Sequence, residues 1–175
     1  MIQHRISGLV AATHTPFHSD GSLNLCVIEK QAAHLQASGV GAAFISGTTG
    51  ESHSLSLDER CALTTRWMEV TRGSDLKVVV HVGANALGDA AALAAQAQEL
   101  GAEAISALSP SYFKPRTVAA LVDSCAQITA SAPEIPFYFY DIPSFTGVSL
   151  PMPEYLSLGM ERLPTLAGVK FTNPD

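Results

Sequence analysis

Gly39-Val-Gly-Ala-Ala-Phe44 and Gly101-Ala-Glu-Ala-Ile-Ser106 are two copies of one turn. In each, a glycine closes a helical pattern and a short apolar run follows. Glycine just beyond the last helical residue is the common left-handed cap, and an apolar run of four to eight residues bounded by turn residues suits a buried strand. Working outward from these two turns, the same alternation fills the chain. Strands are expected near Gly8–Ala12, Ala42–Ser46, Lys77–Val82, Ala104–Leu108, Phe137–Tyr140 and Gly168–Phe171. Helices are expected near Asn24–Ser38, Leu57–Arg72, Leu87–Leu100, Thr117–Ser131 and Pro153–Leu158, the second opened by the capping box Ser56-Leu-Asp-Glu59. Strands apolar on both faces and separated by helices predict a parallel sheet. Two architectures then fit, an open doubly wound sheet or a (β/α)8 barrel. Six strands complete the first and leave the second two strands short of its usual length of about 250 residues.

The 175 residues are 47% hydrophobic and 15% charged, as suits a single domain with a real core spanning 1–175. The net charge of −6 and the scattered lysines and arginines argue against nucleic acid or anionic membrane as partners. A small anionic substrate is still compatible, since a local site can oppose the global charge. Cys26, Cys61 and Cys125 are odd in number and read as reduced core residues of a cytoplasmic protein. Met1-Ile-Gln-His-Arg5 runs straight towards the first strand without a signal-peptide h-region, and no apolar run reaches membrane-spanning length.

Parallel α/β folds carry their chemistry at the carboxyl ends of the strands. Those ends hold Thr13-His-Thr-Pro-Phe17, Ser46-Gly-Thr-Thr-Gly-Glu51, His81-Val-Gly83, Ser109-Pro-Ser-Tyr-Phe-Lys-Pro115, Tyr140-Asp-Ile-Pro-Ser144 and Lys170-Phe-Thr172. Gly47-Thr-Thr-Gly50 is a tight turn able to cradle a carboxylate or phosphate, though such residues also serve turns for purely structural reasons, and no Gly-Lys-Ser/Thr follows to make a P-loop. Tyr140 offers an acid/base phenol or a core tyrosine bonded to backbone. Strand alternation sets Tyr138 and Tyr140 on one face. Among four lysines, Lys30, Lys77 and Lys114 read as solvated, whereas Lys170 falls within apolar Leu166-Ala-Gly-Val-Lys-Phe171. A lysine there either snorkels to water or is kept neutral, and a neutral amine attacks carbonyl groups.

Five pieces together carry a resemblance: Gly8-Leu-Val-Ala-Ala-Thr-His-Thr-Pro-Phe17, Gly47-Thr-Thr-Gly-Glu51, His81-Val-Gly83, Tyr140-Asp-Ile-Pro-Ser-Phe-Thr-Gly147 and Gly168-Val-Lys-Phe-Thr172. In this order, over nearly the whole chain, they resemble the pyruvate-handling Schiff-base (class I) aldolases that include N-acetylneuraminate lyase and dihydrodipicolinate synthase. The resemblance implies a (β/α)8 barrel, usually a homotetramer, here ending after the sixth strand. It implies that Lys170 forms the imine and Tyr140 relays protons. Thr48, Thr49 and the backbone of the turn through Gly50 would hold a 2-oxo acid carboxylate. Tyr112 would support the relay, and Thr172 would meet the sugar portion. The chemistry needs no metal or organic cofactor.

Within the family, Phe145 stands where the synthase branch usually has an arginine. The motifs look more like the lyase branch, which cleaves N-acetylneuraminate to N-acetylmannosamine and pyruvate. The alternatives are another pyruvate-dependent aldolase, such as a 2-keto-3-deoxy sugar acid aldolase or dihydrodipicolinate synthase, or an inactive truncated variant. Much of the sugar-contacting surface lies beyond the point where this chain ends, so the chain alone is expected to have little or no lyase activity. A metal-dependent barrel using His14, His53, His81 and Glu51 is the rival chemistry, but the paired His-x-His spacing of many such barrels is missing from Thr13-His-Thr15. A doubly wound nucleotide binder lacks its glycine fingerprint and gives Lys170 no role. The sequence leaves Glu51 and Asp141 between catalytic and structural readings.

Overall fold

Every strand of the sheet is bonded to its neighbour in sequence. The computed structural model describes residues 6–174. Its strands are β1 (Val10–Ala12), β2 (Ala42–Ile45), β3 (Lys77–His81), β4 (Ala104–Leu108), β5 (Phe137–Asp141) and β6 (Leu166–Phe171), all parallel and in the order β1-β2-β3-β4-β5-β6. A doubly wound sheet must reverse its strand order at a switch point. This one never does, and it is the winding of a barrel wall: the curled sheet is six strands of a (β/α)8 arrangement. The stretch Met1–Arg5, expected to lead into the first strand, lies outside the described residues, as does Asp175.

The helices are α1 (Ile28–Ala37), α2 (Leu57–Thr71), α3 (Leu87–Glu99), α4 (Val118–Thr129), α5 (Pro143–Thr146) and α6 (Met152–Arg162). Gly39 and Gly101 take the expected left-handed conformation, with φ of +70° and +80°. The predicted capping box is formed: Ser56 Oγ accepts from the Glu59 N–H, and Glu59 Oε2 accepts from the Ser56 N–H at 2.8 Å. Three departures follow from local turns. The first helix opens as a 3-10 turn, Leu25–Val27, and two short elements, Ser52–Ser54 and α5, occupy strand-end loops that period counting does not resolve. The last helix extends to Arg162.

The helices lie on one side of the sheet. There Trp67, Leu63, Ile105, Leu121, Phe137, Phe139 and Tyr155 form the main core, with Phe139 and Tyr155 ring centroids 4.6 Å apart. Each fully buried large apolar side chain contributes about 1.5–3 kcal/mol relative to exposure. The concave side holds a smaller cluster, Ala42, Phe44, Val79, Ala104, Leu108 and Tyr140. Of the cysteines, only Cys125 is core; Cys61 is half-buried and Cys26 exposed, all three as free thiols. Among the described residues β1 and β6 pair on one side only, and Leu9, Val10 and Phe171 are exposed. No helix among the described residues is long and apolar enough to cross a membrane.

An irregularity in β6 matters for the site. Phe137 pairs with Leu166, but Tyr138 pairs with Gly168 and Tyr140 with Lys170. One extra residue in β6 therefore shifts the register between these pairs. A one-residue slip turns a strand's side chains to the other face. The bulge thus sets Lys170, not Val169, opposite Tyr140.

Candidate active site

The loop after β2 is held in an unusual backbone shape. Ser46 and Glu51 both have positive φ, +53° and +56°, a region that non-glycine residues occupy at a cost. Between them the turn closes through Glu51 N–H to Thr48 O (3.1 Å) and Ser52 N–H to Gly47 O (3.3 Å). Both glycines are required by close packing. A Cβ on Gly47 would lie 2.5 Å from the Phe44 ring, and one on Gly50 would lie 3.1 Å from Ser46 N and 3.2 Å from Thr13 O. Thr15 Oγ1 donates to the Gly50 carbonyl at 2.7 Å, anchoring the far end of the turn to the loop after β1. Thr48 and Thr49 are left half-buried at the rim.

Lys170 Nζ stands 3.7 Å from the Tyr140 ring centroid and 5.4 Å from that of Phe44. These two rings meet edge to face at 5.7 Å and 81°, forming an aromatic floor for the amine. Nζ donates to Thr172 Oγ1 at 3.0 Å. The Tyr140 hydroxyl, in turn, lies 3.4 Å from Thr48 Oγ1. Amine, phenol and threonine thus form one contiguous line from β6 through β5 to the β2 loop. The buried environment expected for Lys170 is only partly realised. It is half-buried, because β6 has a single strand neighbour and its inner face opens on a cavity of about 430 Å³ lined also by Val10, Phe44, Val79 and Tyr138.

His81 was legible only as a motif member and as a rival metal ligand. Its imidazole is fully buried, with Nδ1 2.8 Å from the Ser46 carbonyl and Nε2 3.3 Å from the Leu108 N–H. A backbone N–H can only donate, so Nε2 is the acceptor and Nδ1 carries the proton given to Ser46. Burial, reinforced by the Arg60 charge, pushes the His81 pKa well below the ordinary histidine value. Arg60, one of the arginines that looked scattered in the sequence, is buried and donates to the His81 carbonyl at 2.7 Å and the Gly83 carbonyl at 3.0 Å. Desolvation lowers its pKa to about 10, so it stays charged at neutral pH. A Cβ on Gly83 would meet His81 Nε2 and Leu108 N, each at 2.9 Å.

Other expected residues fall elsewhere. Tyr112 is 79% exposed on the loop before α4, its ring edge-on to Phe113 at 5.0 Å, so the chain's own fold does not seat it beside Tyr140. Glu51 is exposed on a rim cavity of about 320 Å³ that also takes in Thr48, His53, Leu108, Ser111 and Phe145. Asp141 is buried and paired with Phe171 in the sheet, one residue out of step with Tyr140 and Lys170. Its carboxylate accepts from Asn173 Nδ2 at 3.2 Å, and desolvation raises its pKa. That is the structural reading of Asp141: it ties down the segment that follows Lys170. His14, His53 and His81 form no metal-ligating cluster with acidic or thiol partners among the described residues. His81, with both ring nitrogens engaged by backbone, has no lone pair to give a metal.

Comparison with known proteins bears on the family and the fold. The model of the dihydrodipicolinate synthetase family matches residues 5–175. N-acetylneuraminate lyase B of Xenopus laevis is 43% identical over 170 residues, which are 97% of this chain and 64% of that protein. The solved Proteus mirabilis N-acetylneuraminate lyase superposes with a TM-score of 0.94 at 41% identity, over 98% of this chain and 58% of its own. A catalytic lysine mutant of Ruminococcus gnavus sialic acid aldolase superposes with a TM-score of 0.88 at 26% identity, over 95% and 53%. The chain spans between about half and two-thirds of the length of these relatives.

Proposed function

Since this chain belongs to the dihydrodipicolinate synthetase family, we propose that it carries the pyruvate-binding and imine-forming half of an N-acetylneuraminate lyase. The reaction is retro-aldol cleavage of N-acetylneuraminate to N-acetylmannosamine and pyruvate. The observation that supports this reading is the contiguous line of Lys170 Nζ over the Tyr140 ring, with the Tyr140 hydroxyl 3.4 Å from Thr48 Oγ1. Nucleophile, proton carrier and carboxylate cradle are the three groups that such a cleavage needs.

In this mechanism the carboxylate of the open-chain 2-oxo acid sits on the Thr48–Gly50 turn, held by the hydroxyls of Thr48 and Thr49. The deprotonated Lys170 amine attacks C2, and loss of water gives an imine that draws electrons from the adjacent carbon. Tyr140 accepts the proton of the C4 hydroxyl as the C3–C4 bond breaks. The aldose leaves, the enamine is protonated at C3, and water hydrolyses the imine to pyruvate and free lysine. Thr172, bonded to Nζ in the resting site, gives up that bond when Lys170 reacts and turns to the sugar hydroxyls. Phe145 lines the rim, in place of an arginine that would bind a second carboxylate, which favours the lyase over the synthase. The family resemblance supports a cytoplasmic homotetramer. The exposed Tyr112–Phe113 pair is an apolar patch that such an assembly would have reason to cover.

The direct test is reductive trapping. The chain is incubated with pyruvate, reduced with borohydride, digested and analysed by mass spectrometry. The pyruvyl adduct is expected on the Lys170 peptide. Labelling spread evenly over the four lysines would overturn the reading.

A further inference from the structure

We infer that His81 is a positioning residue, clamping the Ser46 carbonyl to the end of β4 and so holding the Gly47–Gly50 turn in the shape that receives a 2-oxo acid carboxylate. The inference rests on the reading of that turn as a carboxylate cradle.

A buried histidine that merely fills a core needs its nitrogens satisfied, and any nearby groups will serve. His81 instead joins two strand ends that share no direct sheet pairing. Nδ1–H holds Ser46 at the end of β2, and Nε2 receives the N–H of Leu108 at the end of β4. The residue so held, Ser46, is one of two non-glycine residues with positive φ among the described residues. A backbone in that region persists only when its surroundings impose it, and the bond from Nδ1 is such an imposition. Ser46 immediately precedes the turn, so its carbonyl direction sets the plane of the next peptide and the aim of the Thr48 and Thr49 groups beyond it.

The clamp is itself backed on every side. Arg60 grips the His81 and Gly83 carbonyls from the helix side. Gly83, having no side chain, makes room for the imidazole, since a Cβ there would lie 2.9 Å from Nε2. The ring stands at 87° to Tyr140, 5.9 Å away, and 6.1 Å from Phe44, so it also touches the floor under Lys170. Desolvation keeps the ring neutral, as the acceptor role of Nε2 requires.

The test follows pyruvate titrations of the 175-residue chain by NMR on the Thr48 and Thr49 amides, with the His81→Phe and His81→Asn variants alongside. His81→Phe keeps a ring but removes both polar atoms. It is expected to raise the half-saturating pyruvate concentration about tenfold, as suits leaving one buried acceptor unpaired. His81→Asn keeps a donor near the Nδ1 position and should recover most of the loss. Reductive labelling of Lys170 by acetaldehyde, which has no carboxylate, should fall far less than the pyruvate response in His81→Phe. That result separates cradle geometry from general packing. Unaltered pyruvate response in His81→Phe would overturn the inference, as would parallel loss of acetaldehyde labelling with no recovery in His81→Asn. So would an unsubstituted chain whose Thr48 and Thr49 amides ignore pyruvate. If those amides respond and depend on His81 while borohydride traps nothing, the Schiff-base reading fails and the clamp stands.

Discussion

Tyr140 presents its ring face to Lys170 Nζ at 3.7 Å and its hydroxyl to Thr48 Oγ1 at 3.4 Å. One side chain therefore borders both Lys170 and the Gly47–Gly50 turn, the proposed nucleophile and carboxylate cradle. The ring face carries the negative part of the aromatic quadrupole and attracts the amine's positive end. The hydroxyl at the ring edge lies against Thr48. The two ends of this residue are separable by mutation.

Tyr140→Phe keeps the platform and removes the proton carrier. Imine formation with pyruvate should persist in borohydride trapping. Exchange of the pyruvate methyl protons with solvent, which requires the enamine, should slow by about 10²–10⁴-fold, the usual worth of a positioned acid/base. Proton NMR in deuterium oxide measures it. Unchanged exchange would remove Tyr140 from the relay.

Lys170→Arg keeps a cation over the same rings but cannot supply a neutral amine. No pyruvyl adduct should form. Because the residue is half-buried on an edge strand, the urea midpoint should move by no more than about 1 kcal/mol in stability. An adduct at any other lysine in this variant would contradict the assignment of the nucleophile.

Gly83→Ala tests the backing of the histidine clamp. The new Cβ would lie 2.9 Å from both His81 Nε2 and the Leu108 nitrogen, and neither is the tip of a flexible side chain. Overpacking of this kind costs about 1–3 kcal/mol. Denaturant unfolding should show that loss, and a neutral result would mean that β3 and β4 separate easily.

Acid stability should report the buried imidazole. The His81 pKa is lowered in the folded chain, so below about pH 6.5, its ordinary unfolded value, the unfolded chain binds a proton that the folded chain refuses. Stability attributable to this residue is complete above that pH. It falls as pH drops towards the folded pKa, by up to about 1.4 kcal/mol per pH unit. His53, lowered mainly by desolvation, adds in the same direction. His81→Asn should flatten the slope of unfolding free energy between about pH 6 and 5; an unchanged slope would assign it to other groups.

The winding of the fold was nearly open to reading, since the alternation of apolar runs and glycine-capped helices predicts a parallel sheet. It could not choose between barrel and doubly wound order, because both use the same local periodicity. The choice lies in which strands pair, and consecutive pairing throughout decided it. The same limit explains Lys170. Its place in an apolar run was visible, but the bulge that puts it opposite Tyr140 is a matter of register between two segments. Its half-burial reflects the single neighbour of β6. Arg60 and His81 escaped for a related reason. Each is satisfied by backbone carbonyls or amides distant in sequence, and such partners leave no pattern of side-chain types. The Gly47–Gly50 turn was legible as a tight turn, but glycines and threonines also serve such turns for structural reasons, so its use as a cradle was not.

Consecutive strand pairing also sets a calendar for assembly. Each strand after β1 pairs with the strand that precedes it in the chain, so none of these pairings waits for a distant segment. The Gly47–Gly50 turn and the His81 contacts that hold it draw on β2, β3 and β4, which all precede β6. Lys170 follows them in the chain, on β6. During synthesis Lys170 thus meets a turn and a histidine contact built from segments already made.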